Sequence, residues 1–232
     1  MNDLGRMFRN NSKSKRPRRI FSIAFFLAIP GNFIIGIMCL VGLIILAQIT
    51  ELNREIWSVF AIGLVGGLSI IGTSEIRKLR TAIHEFKHAI VVSLTGNRLK
   101  DISIQKDTGY VDYELYQETV HFAPMIILAP YFFPLLSAPA LVCCLIFEDH
   151  YRTLCTLILG FTLAADLSTA YTELHPHQSD LRQVCGGFFA AASYLAGFHL
   201  MWITVCLLWI AAGRNGYIYL GYLVIRFIQR AM

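Results

Sequence analysis

His84-Glu85-Phe86-Lys87-His88 sets two imidazoles four residues apart, with a carboxylate beside the first. On an α-helix the two histidines fall about 40° apart and one turn along the same face, so a nitrogen of each can converge on one metal ion. Glu85 is close to that ion without being turned onto it. Such a trio divides the labour of hydrolysis. Zinc lowers the pKa of a water it holds and acts as a Lewis acid on a peptide carbonyl, while the carboxylate takes the proton and later returns it. The competing reading is an i, i+4 polar face packed against other helices. Intramembrane ionisable groups are expensive, which favours the functional reading.

A catalytic zinc takes three protein ligands and keeps a position open. The downstream candidates for the third are Asp166, Asp180, His121, His150, His175, His177 and His199. Asp180 closes the polar connector His175-Pro176-His177-Gln178-Ser179-Asp180, at the mouth of an apolar run from 183 to 213. A helix start there can hold a carboxylate and aim it back into the bundle. Asp166 sits inside an apolar segment, where structural partnering is its expected role. His121 and His199 are lone histidines in apolar runs and read as hydrogen-bonded core or interface residues. His150 lies among Glu148, Asp149 and Arg152 as a connector, and the His175 and His177 pair reads as a solvated loop.

The elements that must position these groups are membrane segments. The chain has 232 residues, 56% of them hydrophobic and only 15% charged, against about a quarter charged in an average soluble domain. Residues 20–49 contain no Asp, Glu, Lys or Arg, which exceeds the roughly 20 residues a spanning helix needs and the apolar region of a signal peptide. Further uncharged runs cover 57–74, 119–147, 153–165 (extending to 172 if Asp166 is accommodated) and 183–213, and an aromatic-rich half-span follows at 215–225. The formal charge of +5 misleads, because residues 1–19 carry seven basic residues against Asp3 and leave the remainder at −1. A nucleic-acid-binding body is therefore unsupported. Five of the six cysteines lie in apolar runs and Cys185 at the edge of one, which argues against a disulfide-stapled secreted domain.

The basic tail, the lone Arg54 after the first run, and Arg77, Lys78 and Arg80 after the second put the N-terminus and residues 75–81 in the cytoplasm. The metal-motif helix is expected over about 75–95, capped by Ser74 and stopped by Gly96-Asn97. Residues 99–116 alternate apolar and polar on either side of Lys106-Asp107-Thr108-Gly109, the signal of a β-hairpin. If every uncharged run crossed once, residues 84–88 and Asp180 would face opposite sides of the membrane. One segment must therefore be re-entrant, and Pro124 to Pro139 is the natural one, since irregular backbone at membrane depth has to be covered by protein.

HEFKHAIVVSLTGNRLKDI, the Gly109-centred hairpin, LAPYFFPLLSAPA and HPHQSDL together resemble the site-2 protease family of intramembrane zinc metallopeptidases, over roughly residues 57–210. The resemblance implies that His84 and His88 are zinc ligands and Glu85 the general base. It likens Ala129-Pro130 to the family's Gly-Pro segment. It makes Asp180 the third ligand, because Ser179-Asp180-Leu181 after Pro176 is the nearest match to the family's Leu-Asp-Gly motif. The third residue departs from that motif. Lys87 departs too, since the family usually has a small residue there. A cation about 60° from His84 on the helical wheel repels zinc unless it snorkels to the interface or pairs with a carboxylate such as Asp166.

The sequence is thus expected to form an all-α multi-pass membrane protein of about five to six segments, one re-entrant, with a small β-hairpin after the HExxH helix. Its parts are a basic cytoplasmic tail (1–19), an anchor and connection (20–56), a metalloprotease-like core (57–213) and an interfacial C-terminal segment (214–232). The expected activity is that of a zinc endopeptidase acting on membrane-anchored or transmembrane protein substrates in the bilayer. The free edge of the hairpin is expected to take the substrate as an added strand. A non-proteolytic relative of the same fold, for which Lys87 is the main argument, and a small proton-coupled transporter using Asp166 are the rival readings.

Overall fold

The computed structural model describes residues 21–49, 53–71, 77–105, 109–175 and 178–231. The basic tail, Ser74, Lys106-Asp107-Thr108, Pro176 and His177 lie outside the described residues. Eight helices and one hairpin account for the described chain: α1 (Ile23–Ile49), α2 (Arg54–Ile71), α3 (Arg77–Leu94), β1 (Arg98–Ile104), β2 (Gly109–Glu114), α4 (Ala123–Phe132), α5 (Ser137–Glu173), α6 (Ser179–Gln183), α7 (Gly187–Ala212) and α8 (Arg214–Ala231), with a 3-10 turn at Gln117–Phe122. Four of them, α1, α2, α5 and α7, are long and apolar enough to cross a membrane. The residues group into two compact units, one of residues up to Ile29, Ile71–Phe133 and Leu167–Leu195, the other of Pro30–Ile70, Pro134–Asp166 and residues from Ala196 onward.

The first unit carries the metal motif. Helix α3 ends where the sequence says it should, and the reason is conformational. Gly96 adopts φ +74°, a left-handed value that favours glycine, and Asn97 N–H bonds back to the Val92 carbonyl at 3.0 Å, closing the helix as a Schellman cap does. Asn97 then couples helix to hairpin. Its buried side chain accepts the Tyr116 N–H at 3.0 Å and the Thr119 hydroxyl at 2.6 Å. Strands β1 and β2 pair antiparallel, with Ile102 opposite Val111, Ile104 opposite Gly109 and an irregularity between Leu99 and Asp101.

The uncharged run 119–147 does not form one span. It divides into the 3-10 turn, α4 and the start of α5. Pro124 suits the first turn of α4, which ends at Phe133 in extended conformation, the conformation that Pro134 imposes on its predecessor. Ten residues of helix rise about 15 Å, half the thickness of a hydrocarbon core. The core of this unit is built on α4: Ile126 and Ala129 pack on Val91 and Val92 of α3, and Leu128 and Tyr131 pack on Phe25, Leu181 and Tyr194.

In the second unit the two apolar runs on either side of the charged 148–152 connector form two helical arms of α5. Helix α5 is interrupted at Tyr151 (φ −132°, ψ 29°). The Cys144 thiol donates to the Cys155 carbonyl at 3.3 Å, although eleven residues of straight helix would separate them by about 16 Å. The chain therefore folds back at Tyr151. Asp166 closes the far end of this helical hairpin, its Oδ2 accepting from Leu136 N–H (3.0 Å), Ser137 N–H (2.8 Å) and Ser137 Oγ (2.7 Å). Helix α2 lies against the returning arm through small residues. A Cβ on Gly63 or Gly67 would strike the Leu157 or Phe161 carbonyl, and one on Gly160 would meet the Phe60 carbonyl at 2.6 Å. Such glycines let membrane helices approach closely, where dispersion drives association. Helices α7 and α8 are joined at Gly213, φ +62°, where any side chain would overlap the Glu148 carboxylate. That carboxylate accepts from Trp209 Nε1 at 3.2 Å and from Arg214 N–H at 2.8 Å.

Candidate metal centre

Three side chains meet in the first unit. The ligating atoms of His84, His88 and Asp180 all lie within 4.8 Å of one another, and each residue is half-buried. No other such group of three occurs among the described residues. The histidines face each other one turn apart on α3, ring centroids 5.1 Å apart and tilted by 64°. Asp180 does not sit at the mouth of the long apolar helix. It occupies the first turn of the short α6, cut off from α7 by Gly186 and Gly187, both at positive φ (+86° and +64°). That break frees α6 to turn its carboxylate towards α3.

Helix α4 orients the group. His88 Nδ1 donates to the Ile126 carbonyl at 2.7 Å. A carbonyl only accepts, so Nδ1 carries the proton and the Nε2 lone pair is left for a metal, the usual outer-shell arrangement. Burial, reinforced by the neighbouring His84 ring, lowers the His88 pKa to about 3 despite that hydrogen bond. The ring is neutral at pH 7, the state in which it can ligate. Tyr131, also on α4 and 1% exposed, touches the other two members. Its hydroxyl donates to Asp180 Oδ2 at 3.3 Å, and its ring stands edge-on to His84 at 5.9 Å. From the hairpin, Tyr113 is raised to about 12, first by burial and then by the Asp180 charge, so it stays protonated beside the carboxylate.

Glu85 is 6% exposed, and the start of β2 lies directly on it. A Cβ built on Gly109 would stand 2.6 Å from both Cγ and Oε1 of Glu85. Gly109 is therefore a turn glycine by sequence and a contact glycine by structure. Gly109→Ala is expected to keep the metal while lowering hydrolysis by roughly 10²-fold, the scale of a displacement of about an ångström at a reacting group. Metal content and turnover measured on one preparation check this, and unchanged turnover refutes the contact's importance.

None of the other described sequence candidates belongs to this group of three. Asp166 anchors the α5 hairpin. His121 stacks on Phe122 at 4.0 Å, and its carbonyl accepts the Ser22 hydroxyl at 2.5 Å, which in turn caps α1 through the Phe25 N–H. His150 lies 6.2 Å from the Tyr151 ring at the α5 reversal, His175 is exposed before α6, and His199 is half-buried on α7. Lys87 corrects the snorkelling expectation. It is 1% exposed, and its ammonium reaches the Pro130 carbonyl and the Thr169 hydroxyl, each at 3.5 Å. Carbonyls in the last turn of a helix lack intrahelical donors, so the end of α4 gives the cation a buried alternative to solvent. Tyr131 and the Ile126 carbonyl were not singled out from sequence. A phenol inside an otherwise apolar, proline-flanked run was the one available signal for the first, and a backbone carbonyl leaves none.

A family model described as Peptidase M50B-like matches residues 59–211. No curated protein and no solved structure matches the chain. The matched stretch is about two thirds of the chain and contains α3, the hairpin, α4 and Asp180. Together with four apolar helices of membrane-spanning length, it marks an integral membrane protein. The chain belongs to the Peptidase M50B-like family, which is the site-2 protease family.

Proposed function

We propose that this protein is a zinc-dependent endopeptidase that hydrolyses peptide bonds of membrane-associated protein substrates. The observation that carries the reading is the convergence of His84, His88 and Asp180, with donor atoms within 4.8 Å of one another, and with the buried Glu85 next to His84 in the chain. Two imidazoles and one carboxylate are a donor set that suits zinc. Bound there, zinc would supply Lewis acidity and lower the pKa of water.

The chain's own residues do the rest. Ile126 and Tyr131 hold His88 and Asp180 in their ligating orientations, and Glu85 accepts a proton from the attacking water and delivers it to the departing amine nitrogen. The hairpin adjoins both Glu85 and Asp180, so a substrate strand added to its edge would be extended, with its peptide bonds exposed, where the carboxylate works. Lys87 is held by Pro130 and Thr169, which supports the proteolytic reading over the non-proteolytic relative. We place the N-terminus in the cytoplasm on the basic tail, and read α4 as the re-entrant segment on its length.

Metal analysis of the purified chain tests the reading. About one zinc per chain is expected in the wild type, and a tenth of that or less in His84→Ala or His88→Ala. Equal zinc in all three proteins overturns it.

A further inference from the structure

In the second unit, α1 and α8 enclose a trough of about 460 Å³, within the range of small-molecule sites. Ile37, Val41 and Ile45 of α1 and Leu220 of α8 line it, and Arg226 and Arg230 complete it. The two arginines are four residues apart and so share a helix face. Both are exposed, and among the described residues neither makes an ion pair with an acidic side chain. Guanidinium groups beside an apolar, lipid-facing surface are costly unless an anion accompanies them.

The helix directions separate the charged end from the apolar end. Gly36 packs on Leu200 and Met201, and Gly42 near Leu208, so α1 and α7 run parallel. Helix α8 reverses at Gly213, and its Tyr217 hydroxyl donates back to the Val205 carbonyl at 2.9 Å. It therefore runs antiparallel to both, with Leu220 against Gly42. From Leu220 to Arg230 is about 15 Å of helix, descending towards the end of α1 that carries the basic tail. The trough thus has an apolar upper length and a doubly cationic lower end. An acyl chain joined to a phosphate has that shape and charge, whereas a free phosphate leaves the apolar lining unused.

We propose that the α1–α8 trough binds an anionic phospholipid, its acyl chain along Ile37, Val41 and Ile45 and its phosphodiester on Arg226 and Arg230. Basic pockets between membrane helices recognise lipid headgroups in this way. The proposal does not depend on the protease reading.

Native mass spectrometry of the full chain, released from vesicles of phosphatidylcholine doped equally with phosphatidylglycerol of the same acyl chains, tests it. Wild type should retain phosphatidylglycerol at least about five-fold over phosphatidylcholine. The selectivity should vanish in Arg226→Gln/Arg230→Gln, and Val41→Trp, which fills the trough and spares the arginines, should retain neither lipid there. Glycerol phosphate added to wild type should leave no adduct. Equal retention of the two lipids by wild type overturns the proposal without recourse to any variant. Selectivity that persists in the double variant assigns it to other basic residues, such as the N-terminal tail, and also overturns it. Retention by Val41→Trp, or a glycerol phosphate adduct, overturns the role of the acyl chain.

Discussion

Glu85→Gln is expected to lower cleavage of a transmembrane substrate by roughly 10²- to 10⁴-fold, the range attributed to a positioned proton-transfer group, while zinc content stays at the wild-type level. Glutamine preserves the volume that fits under Gly109 and removes only the basic oxygen. Glu85 is not one of the three converging ligand residues, so the metal has no reason to leave. The dissociation of the two readouts is the informative part: a structural residue would lose both or neither. Turnover and bound zinc should be measured on the same detergent-solubilised sample. Wild-type turnover in the variant removes Glu85 from the mechanism, and loss of zinc makes it a ligand.

The second large effect separates two aspartates that sequence alone leaves in competition. Asp180→Ala is expected to weaken zinc binding by more than about 100-fold, since losing a ligand exceeds the 10–100-fold typical of losing an outer-shell partner, and activity should fall with it. Asp166→Asn is expected to retain zinc. Its Oδ2 holds three donors at the start of α5, and an amide there loses charge-assisted bonds, so stability should drop by about 1–3 kcal/mol. Metal content and thermal melting of both variants check the pair of outcomes. Zinc lost from Asp166→Asn and kept by Asp180→Ala would exchange the assignments.

The two aspartates also show where sequence reasoning reaches its limit. Asp166 was legible as a buried carboxylate in need of partners, because an apolar run around an acid admits few alternatives. Which partners it would find was not legible. The donors are the backbone N–H groups of Leu136 and Ser137 and the Ser137 hydroxyl, about thirty positions away, brought there because the charged connector around Tyr151 reverses the chain. Asp180 was legible as a connector residue near a helix start, with a carboxylate that could point back into the bundle, and the family resemblance made it the third ligand. Its separate one-turn helix depends on the consecutive positive-φ glycines 186 and 187, which in sequence look like the ordinary small residues of an apolar run.

Composition and local pattern by themselves determined the solvent, the motif and the local stops. Charge-free runs longer than a bilayer is thick demand burial in lipid, an i, i+4 histidine pair on a helix must share a face, and a left-handed glycine ends α3 at Gly96. Each of these follows from interactions within a turn or two of chain. Tertiary structure alone decided where the proline-marked run 119–147 would break into a 3-10 turn, α4 and one arm of α5, which elements would bring Asp180 to the histidines, that Gly109 would press on Glu85, and that Lys87 would be buried at the end of α4. These contacts join residues from about 24 to nearly 100 positions apart. They depend on how α4, too short to cross a bilayer, packs between α3 and α6, and such packing is set by the summed shape of many side chains, which spacing in sequence does not encode.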